Sequence, residues 1–245
     1  MPAGAGRGSL PGVTDLTGRS VLVAGATGGL GLLVARRLAA RGARLTLTAR
    51  TAPRLEAVAG ELGAACVAAD LRERGAAERV VDHALAANGS LDGLVVAAGV
   101  VAFGPAVDVE DAVLDELFSL NVLAPVRLLR AAAPALSASA QEGNDPFVVN
   151  VSAVVAEQPT AGMAAYSASK AALAAFDAAA GRELRRARIR LVDARPPHTE
   201  TGLATRPIAG APPSLPQGLD PQAVADRIVT AIETGERDVP ASAFA

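Results

Sequence analysis

Residues 20–42 read SVLVAGATGGLGLLVARRLAARG. Ser20–Ala24 is an apolar run of strand length, and a cluster of glycines ends it. Beyond the cluster, Leu32, Leu33, Ala35, Leu38 and Ala39 recur at helical spacing as far as Arg41-Gly42. A strand therefore turns through Gly25, Gly29 and Gly31 straight into a helix. Side chains at those positions would obstruct a close backbone approach. The first helical turn offers unpaired N–H groups and a partial positive charge to an anion. The turn, with Thr27 and Leu30 inside it, is a candidate cradle for a dinucleotide pyrophosphate. Its spacing is G-x-x-x-G-x-G rather than the commoner G-x-G-x-x-G, and a tight turn with no ligand is the alternative reading.

Outward from this unit the same alternation continues. Strands are expected at 44–49, 64–68, 91–98, 147–151, 189–194 and 238–239, and helices at 53–62, 72–87, 109–136, 162–188 and 221–234. The strands are apolar runs rather than strict alternations, as in strands buried on both faces. That pattern predicts an α/β fold, a doubly wound parallel sheet of about seven strands with helices on both faces. No repeat or linker divides the chain, so residues 18–245 read as a single domain behind a flexible tail at 1–17. Segment 195–220 is proline-rich, aperiodic and poor in charge, and reads as a substrate loop with a mostly apolar rim.

Composition narrows the function classes. The chain has 245 residues, 51% of them hydrophobic, and a formal net charge of −2. A core is affordable at this size, and no basic footprint for nucleic acid exists. The longest charge-free stretch, Ser20–Ala35, is shorter than the ~18–20 apolar residues of a membrane span. One cysteine, Cys66, excludes an internal disulfide and a cysteine-rich zinc site, and no metal site is expected. With no charged-then-apolar leader, a cytoplasmic protein is the expectation.

The second strand ends at Arg50, where an acidic residue would favour NAD. An arginine fork suits a 2′-phosphate instead, so NADP (NADPH) is expected over NAD. Asp70, followed by Leu71, closes the third strand, placed either to meet an adenine or to cap a helix starting at Arg72. Of the 23 basic residues only Lys170 is a lysine, and Tyr166 is the one tyrosine. At i and i+4 they share a helix face. An ammonium beside a phenol lowers its pKa, which suits proton exchange with a substrate oxygen. An accidental solvent-facing pair is the alternative.

Taken together, these residues resemble the short-chain dehydrogenase/reductase family, in its single-domain branch, across about Ser20–Val239. The resemblance rests on Ala24–Gly31 for the family's TGxxxGxG turn, Asp70, Ala98-Gly99 for the end of NNAG, Asn121, the strand 148–152, and Tyr166-x-x-x-Lys170 for YxxxK. It implies a Rossmann fold and hydride transfer between a nicotinamide and a carbonyl or alcohol. Tyr166 would be the acid/base, Lys170 would hold the nicotinamide ribose, and Asn121 would hold a relay water. Leu71, Ala98, Gly99, Pro196 and Thr199 are expected with the cofactor, Thr201 being a second candidate for the threonine on the nicotinamide carboxamide. The substrate is expected to be a largely apolar carbonyl or alcohol, and the assembly a homodimer or homotetramer through the helices at 109–136 and 162–188.

The departures carry weight too. Ala24 replaces the first threonine, Val96 and Ala97 the two asparagines, and Pro197 a glycine. The family's serine falls on Ala153, with Ser152 one residue early. Adjacent strand residues point to opposite faces, so Ser152 serves only if a bulge reorients it. His198 is a substitute donor or an exposed loop residue. Two alternatives to a carbonyl reductase stay open. One is a protein that binds NADP(H) with little or no redox chemistry, as a sensor or scaffold. The other is lyase or isomerase chemistry with Tyr166 as base.

Overall fold

The computed structural model describes residues 14–244. Seven parallel strands form one sheet in the order β3-β2-β1-β4-β5-β6-β7. They are β1 Ser20–Ala24, β2 Arg44–Ala49, β3 Ala65–Ala68, β4 Gly93–Val96, β5 Phe147–Val151, β6 Arg190–Ala194 and β7 Asp238–Val239. Helices α1 Gly29–Ala40, α2 Ala52–Leu62 and α7 Pro221–Glu233 contribute to the core on one face. The other face carries α3 Ala76–Asn88, α4 Asp111–Phe118, α5 Ala124–Gln141 and α6 Ala164–Leu184. β1 and β4 are fully buried apolar runs because helices cover both sides of them.

The strand order sets the position of the site. From β1 the chain winds outward through β2 and β3, then returns to pair β4 on the other side of β1. The crevice beyond the carboxyl ends of β1 and β4 is the switch point where doubly wound sheets bind their ligands.

Three expectations change. The single helix expected over 109–136 is two helices, α4 and α5, joined by a π-helical turn at Ser119–Leu123 that carries Asn121. Pro125 is the second residue of α5, directly after this turn. Second, α3 begins at Ala76 with Gly75 as N-cap, not at Arg72. Asp70 closes a tight local turn instead, accepting from the Arg72 N–H at 3.0 Å. Third, the chain is anchored from Thr14 rather than from residue 18. The Thr14 N–H donates to the Glu233 carbonyl, its hydroxyl donates to Asp145, and Leu16 is buried in the core. The remainder of the expected tail, residues 1–13, lies outside the described residues.

Segment 195–220 has no helix, yet it is tied down. The Ile208 N–H donates to the Val101 carbonyl at 2.9 Å and the Phe103 N–H to the Ala209 carbonyl at 3.0 Å. Gly210 makes this approach feasible. Its φ is +71°, and a Cβ there would lie 2.0 Å from the Phe103 oxygen. The loop is therefore latched onto the chain leaving β4. Among the described residues no helix is long and apolar enough to cross a membrane.

Candidate active site

The glycine turn between β1 and α1 is packed to backbone contact. A Cβ on Gly25 would lie 2.6 Å from the Ala98 nitrogen, and one on Gly31 would lie 2.1 Å from the Gly25 oxygen. A Cβ on Gly29 would meet the Thr201 Cβ at 2.5 Å. The N-cap of α1, Gly28, makes no side-chain cap, and no acidic residue occupies the first turn. The amino end of α1 thus keeps its N–H groups for an anion, with no carboxylate in competition, and the turn fits a pyrophosphate. Thr27 and Leu30 are half-buried within it.

At the carboxyl end of β2, Arg50 is exposed and makes no salt bridge among the described residues. Its charge reaches Asp70 across the top of β3. The Arg72 guanidinium, bonded to Asp70 at 2.6 Å, holds that carboxyl below its usual range, and Arg50 contributes weakly in the same sense. Leu71 is buried in the core.

Gly99 follows β4, and a Cβ there would lie 3.2 Å from Asn121 Oδ1 and 3.5 Å from Lys170 Nζ. Three distant parts of the sequence therefore meet at this point. Both ends of the Asn121 side chain are committed. Its Oδ1 accepts from the Val100 N–H, and its Nδ2 donates to the Val100 carbonyl and to Ser169 Oγ, all at 3.0 Å. That amide clamps the chain after β4 to α6.

Tyr166 and Lys170 lie one turn apart on α6, 5% and 4% exposed. Lys170 Nζ donates to the Val151 carbonyl at 3.0 Å. The expected lowering of the phenol is not what this environment produces. Burial raises the Tyr166 pKa above its usual value. Burial also pushes Lys170 down to about 8, against the fields of Asp193 and Asp177, which favour its charged form. Desolvation disfavours charge on either group and here outweighs their neighbours.

The expectation of a substrate-facing Ser152 is corrected. Its hydroxyl donates to Asp193 Oδ1 at 2.6 Å, in the buried layer between β6 and α6. No bulge reorients it: β5 pairs with β6 in regular register through Val151, and the Ser152 N–H continues the ladder onto the Ala194 carbonyl. Ala153 holds the next position, its backbone extended. Thr199 is likewise turned away, its hydroxyl donating to the Pro197 carbonyl at 2.9 Å. Thr201 is the threonine that touches the glycine turn. Pro196 is buried, and its carbonyl accepts from the Val154 N–H. His198 Nε2 lies 3.4 Å from Glu200 Oε1, so a carboxylate of its own loop is its partner.

Sequence reasoning missed two carboxyls. Asp177 is seven residues beyond Lys170 on α6, and Asp193 is on β6 beside Asn150 of β5. The i, i+7 spacing from Lys170 was the one available signal, and it reads equally well as a solvated helix face.

Beside the N-terminus of α6 lies a cavity of about 460 Å³. Phe103, Val109, Val113, Met163 and Ile208 make its walls apolar, and exposed Asp108 and Glu110 stand among its lining residues. One wall continues the chain from Gly99, and another leads through Ala164-Ala165 into Tyr166. Among the described residues no cluster of three or more histidine, cysteine or acidic side chains is arranged to hold a metal.

The family model described as short chain dehydrogenase matches residues 19–209. A short chain dehydrogenase of Pseudocercospora fijiensis is 35% identical over 178 residues, covering 69% of this chain and 56% of that relative's own length. Among solved structures, a 3-ketoacyl-(acyl-carrier-protein) reductase from Brucella melitensis complexed with NADH superposes with a TM-score of 0.84. It is 28% identical, over 94% of this chain and 100% of that one. A short chain dehydrogenase from Burkholderia cenocepacia in complex with NADP gives a TM-score of 0.80 at 29% identity, over 95% of this chain and 100% of its own. The sheet order, the glycine turn, the Tyr166–Lys170 face and the matched span agree: this chain belongs to the short chain dehydrogenase family.

Proposed function

We propose that the protein is an NADP-dependent oxidoreductase that reduces an uncharged, largely apolar carbonyl compound to an alcohol. One observation carries this reading: the single tyrosine and single lysine share a face of α6, and Lys170 Nζ stands beside Gly99 in the crevice flanked by the glycine turn. Gly25, Gly29 and Gly31 with the amino end of α1 would hold the pyrophosphate. Arg50 would hold the 2′-phosphate, Thr201 would face the nicotinamide end, and Lys170 would reach the ribose. When bound, the nicotinamide supplies the hydride. Solved relatives bound to NADH and to NADP both support a nicotinamide cofactor. The exposed, unbridged Arg50 is what favours NADP.

Tyr166 donates the proton that the reduced oxygen takes up, and the Lys170 charge stabilises the phenolate left behind. A raised phenol pKa keeps the hydroxyl protonated before reaction, which suits a general acid in the reductive direction. On this reading the loop latched at 206–210 would close over the crevice and keep water from the reacting atoms.

The cavity supports the substrate class. Its walls are apolar, while Asp108 and Glu110 at its lining, with Asp111 and Asp115 on α4, give its outer side a negative field. That field disfavours carboxylate- or phosphate-bearing substrates and tolerates neutral ones. A second reading, cofactor binding with weak redox activity, is favoured by Ala153 at the serine position. One experiment separates them: NADPH oxidation followed against a panel of neutral and anionic ketones and aldehydes. Turnover of neutral apolar members supports reduction. Tight NADPH binding with no turnover of any member overturns it.

A further inference from the structure

The layer between α6 and strands β5 and β6 holds a group of polar side chains with no part in the reaction described above. Asn150 and Asp193 are register partners on β5 and β6, and both face α6. Asn150 Nδ2 donates to Asp177 Oδ1 at 2.7 Å. Ser152 Oγ and Arg195 Nη1 donate to the two oxygens of Asp193 at 2.6 and 2.5 Å. Asp177 is 2% exposed, and its other oxygen, Oδ2, is buried with no hydrogen-bond partner among the described residues. Two turns along the same helix face stands Lys170, a buried ammonium whose one hydrogen bond among the described residues runs to the Val151 carbonyl.

A buried charge needs a counter-charge, because one hydrogen bond to a neutral carbonyl does not repay its desolvation. The charges that face Lys170 across this layer are those of Asp193 from β6 and Asp177 from α6. Arg195 does not cancel Asp193, because its guanidinium also pairs with Glu157 and with Asp238 of β7. One cation is divided among three carboxylates, which leaves the cluster net negative. Arg182, Arg185 and Arg237 line the outer side of a neighbouring cavity of about 300 Å³, but all three are exposed and screened by solvent. Asp177 and Asp193 line the same cavity from the inside. The two carboxyls thus share one cavity with these arginines.

We infer that Asp193 and Asp177 are positioning residues that hold the Lys170 ammonium charged, with Asp193 as the standing counter-charge and Asp177 as the carboxyl that gains or loses a proton through the second cavity. Burial, and the neighbouring Asp193 carboxylate, push Asp177 up to about 8, so near neutral pH it is protonated and Asp193 supplies the charge. The catalytic use of that charge rests on the oxidoreductase reading, but the charge itself can be observed without turnover.

Lys170 is the one lysine, so lysine labelled with carbon-13 at Cε gives one protein signal in the full-length chain. Its chemical shift, followed from pH 6 to 11, reports the protonation midpoint of this amine alone. Asp193→Asn is expected to lower that midpoint by about one pH unit, the usual size of a lost neighbouring charge. Ser152→Ala removes a hydrogen bond from the same carboxylate but no charge, and is expected to leave the midpoint in place. An unmoved midpoint in Asp193→Asn, or an equal fall in Ser152→Ala, overturns the inference. If Asp193→Asn does not fold, Asp177→Asn decides: a lowered midpoint supports the assignment, and an unchanged one overturns it. In the active enzyme the alkaline limb of kcat/KM is expected to move with the labelled signal, which loss of packing alone would not produce.

Discussion

The hydroxyl of Ser152 donates to the carboxylate of Asp193 at 2.6 Å, inside the layer under α6. That bond fixes which way the end of β5 faces. Ser152 points at α6, and the next side chain, Ala153, takes the opposite direction and the place where the family sets its serine. On the proposed function, proton transfer would run without a hydroxyl at this place. Ala153→Ser restores a donor near the substrate oxygen and is expected to raise kcat by roughly tenfold or more, since one such donor commonly contributes ~10²–10³. Single-turnover rates of NADPH oxidation check this, and an unchanged or lower rate counts against the assignment of position 153.

Arg50 is exposed at the tip of β2 and in no salt bridge among the described residues. Arg50→Ala is expected to weaken NADPH binding about ten- to a hundredfold, the size of a lost charge-assisted contact, and to leave NADH within about twofold. Fluorescence titration of both nucleotides measures the ratio. Equal weakening of the two would assign Arg50 a role unrelated to the 2′-phosphate.

Much of this was legible in the sequence, and the exceptions have physical reasons. β1, β2, β5 and β7 run between the residues expected; in β1 and β5 an apolar run marks the buried strand, and in β2 the alternation does. The π turn at 119–123 was invisible: one extra residue in a helix shifts the periodicity without breaking it. The helix expected from Arg72 starts late because Asp70 captures the Arg72 N–H and Gly75 caps α3 at Ala76. The sequence favours Thr199 with Thr201 as a second candidate, and the packing against Gly29 singles out Thr201. Asp177 and Asp193 lie sixteen residues apart, and nothing short of the fold reveals that they share one buried layer.

Asp177 gives stability a pH dependence of definite sign. Its carboxyl keeps a proton to about 8 when folded, against a usual value of 3.8. Between those values the unfolded chain has released a proton that the folded chain retains, so this group's contribution to stability falls as pH rises through the window. Asp177→Asn cannot ionise and is expected to flatten that fall, gaining ~1 kcal/mol or more on wild type between pH 5 and 8. Urea unfolding at the two pH values reads the difference. A variant that tracks wild type in parallel contradicts it.

Gly210 lets the substrate loop press its backbone against Phe103. Gly210→Ala places a Cβ where the Phe103 oxygen lies and asks alanine to adopt a positive φ. The latch is expected to open. Amide exchange at Phe103 and Ile208 should then rise roughly tenfold or more, and kcat and KM for the carbonyl substrate should change together. Unchanged protection at both amides would mean that the loop is held by something else.

The most direct test is on Tyr166 itself. NADPH oxidation by Tyr166→Phe, compared with wild type on the best neutral ketone, is expected to fall by about 10²–10⁴, the usual worth of a positioned general acid, with the NADPH dissociation constant within about twofold. Full turnover by the phenylalanine variant would contradict the assignment of this phenol as the proton donor.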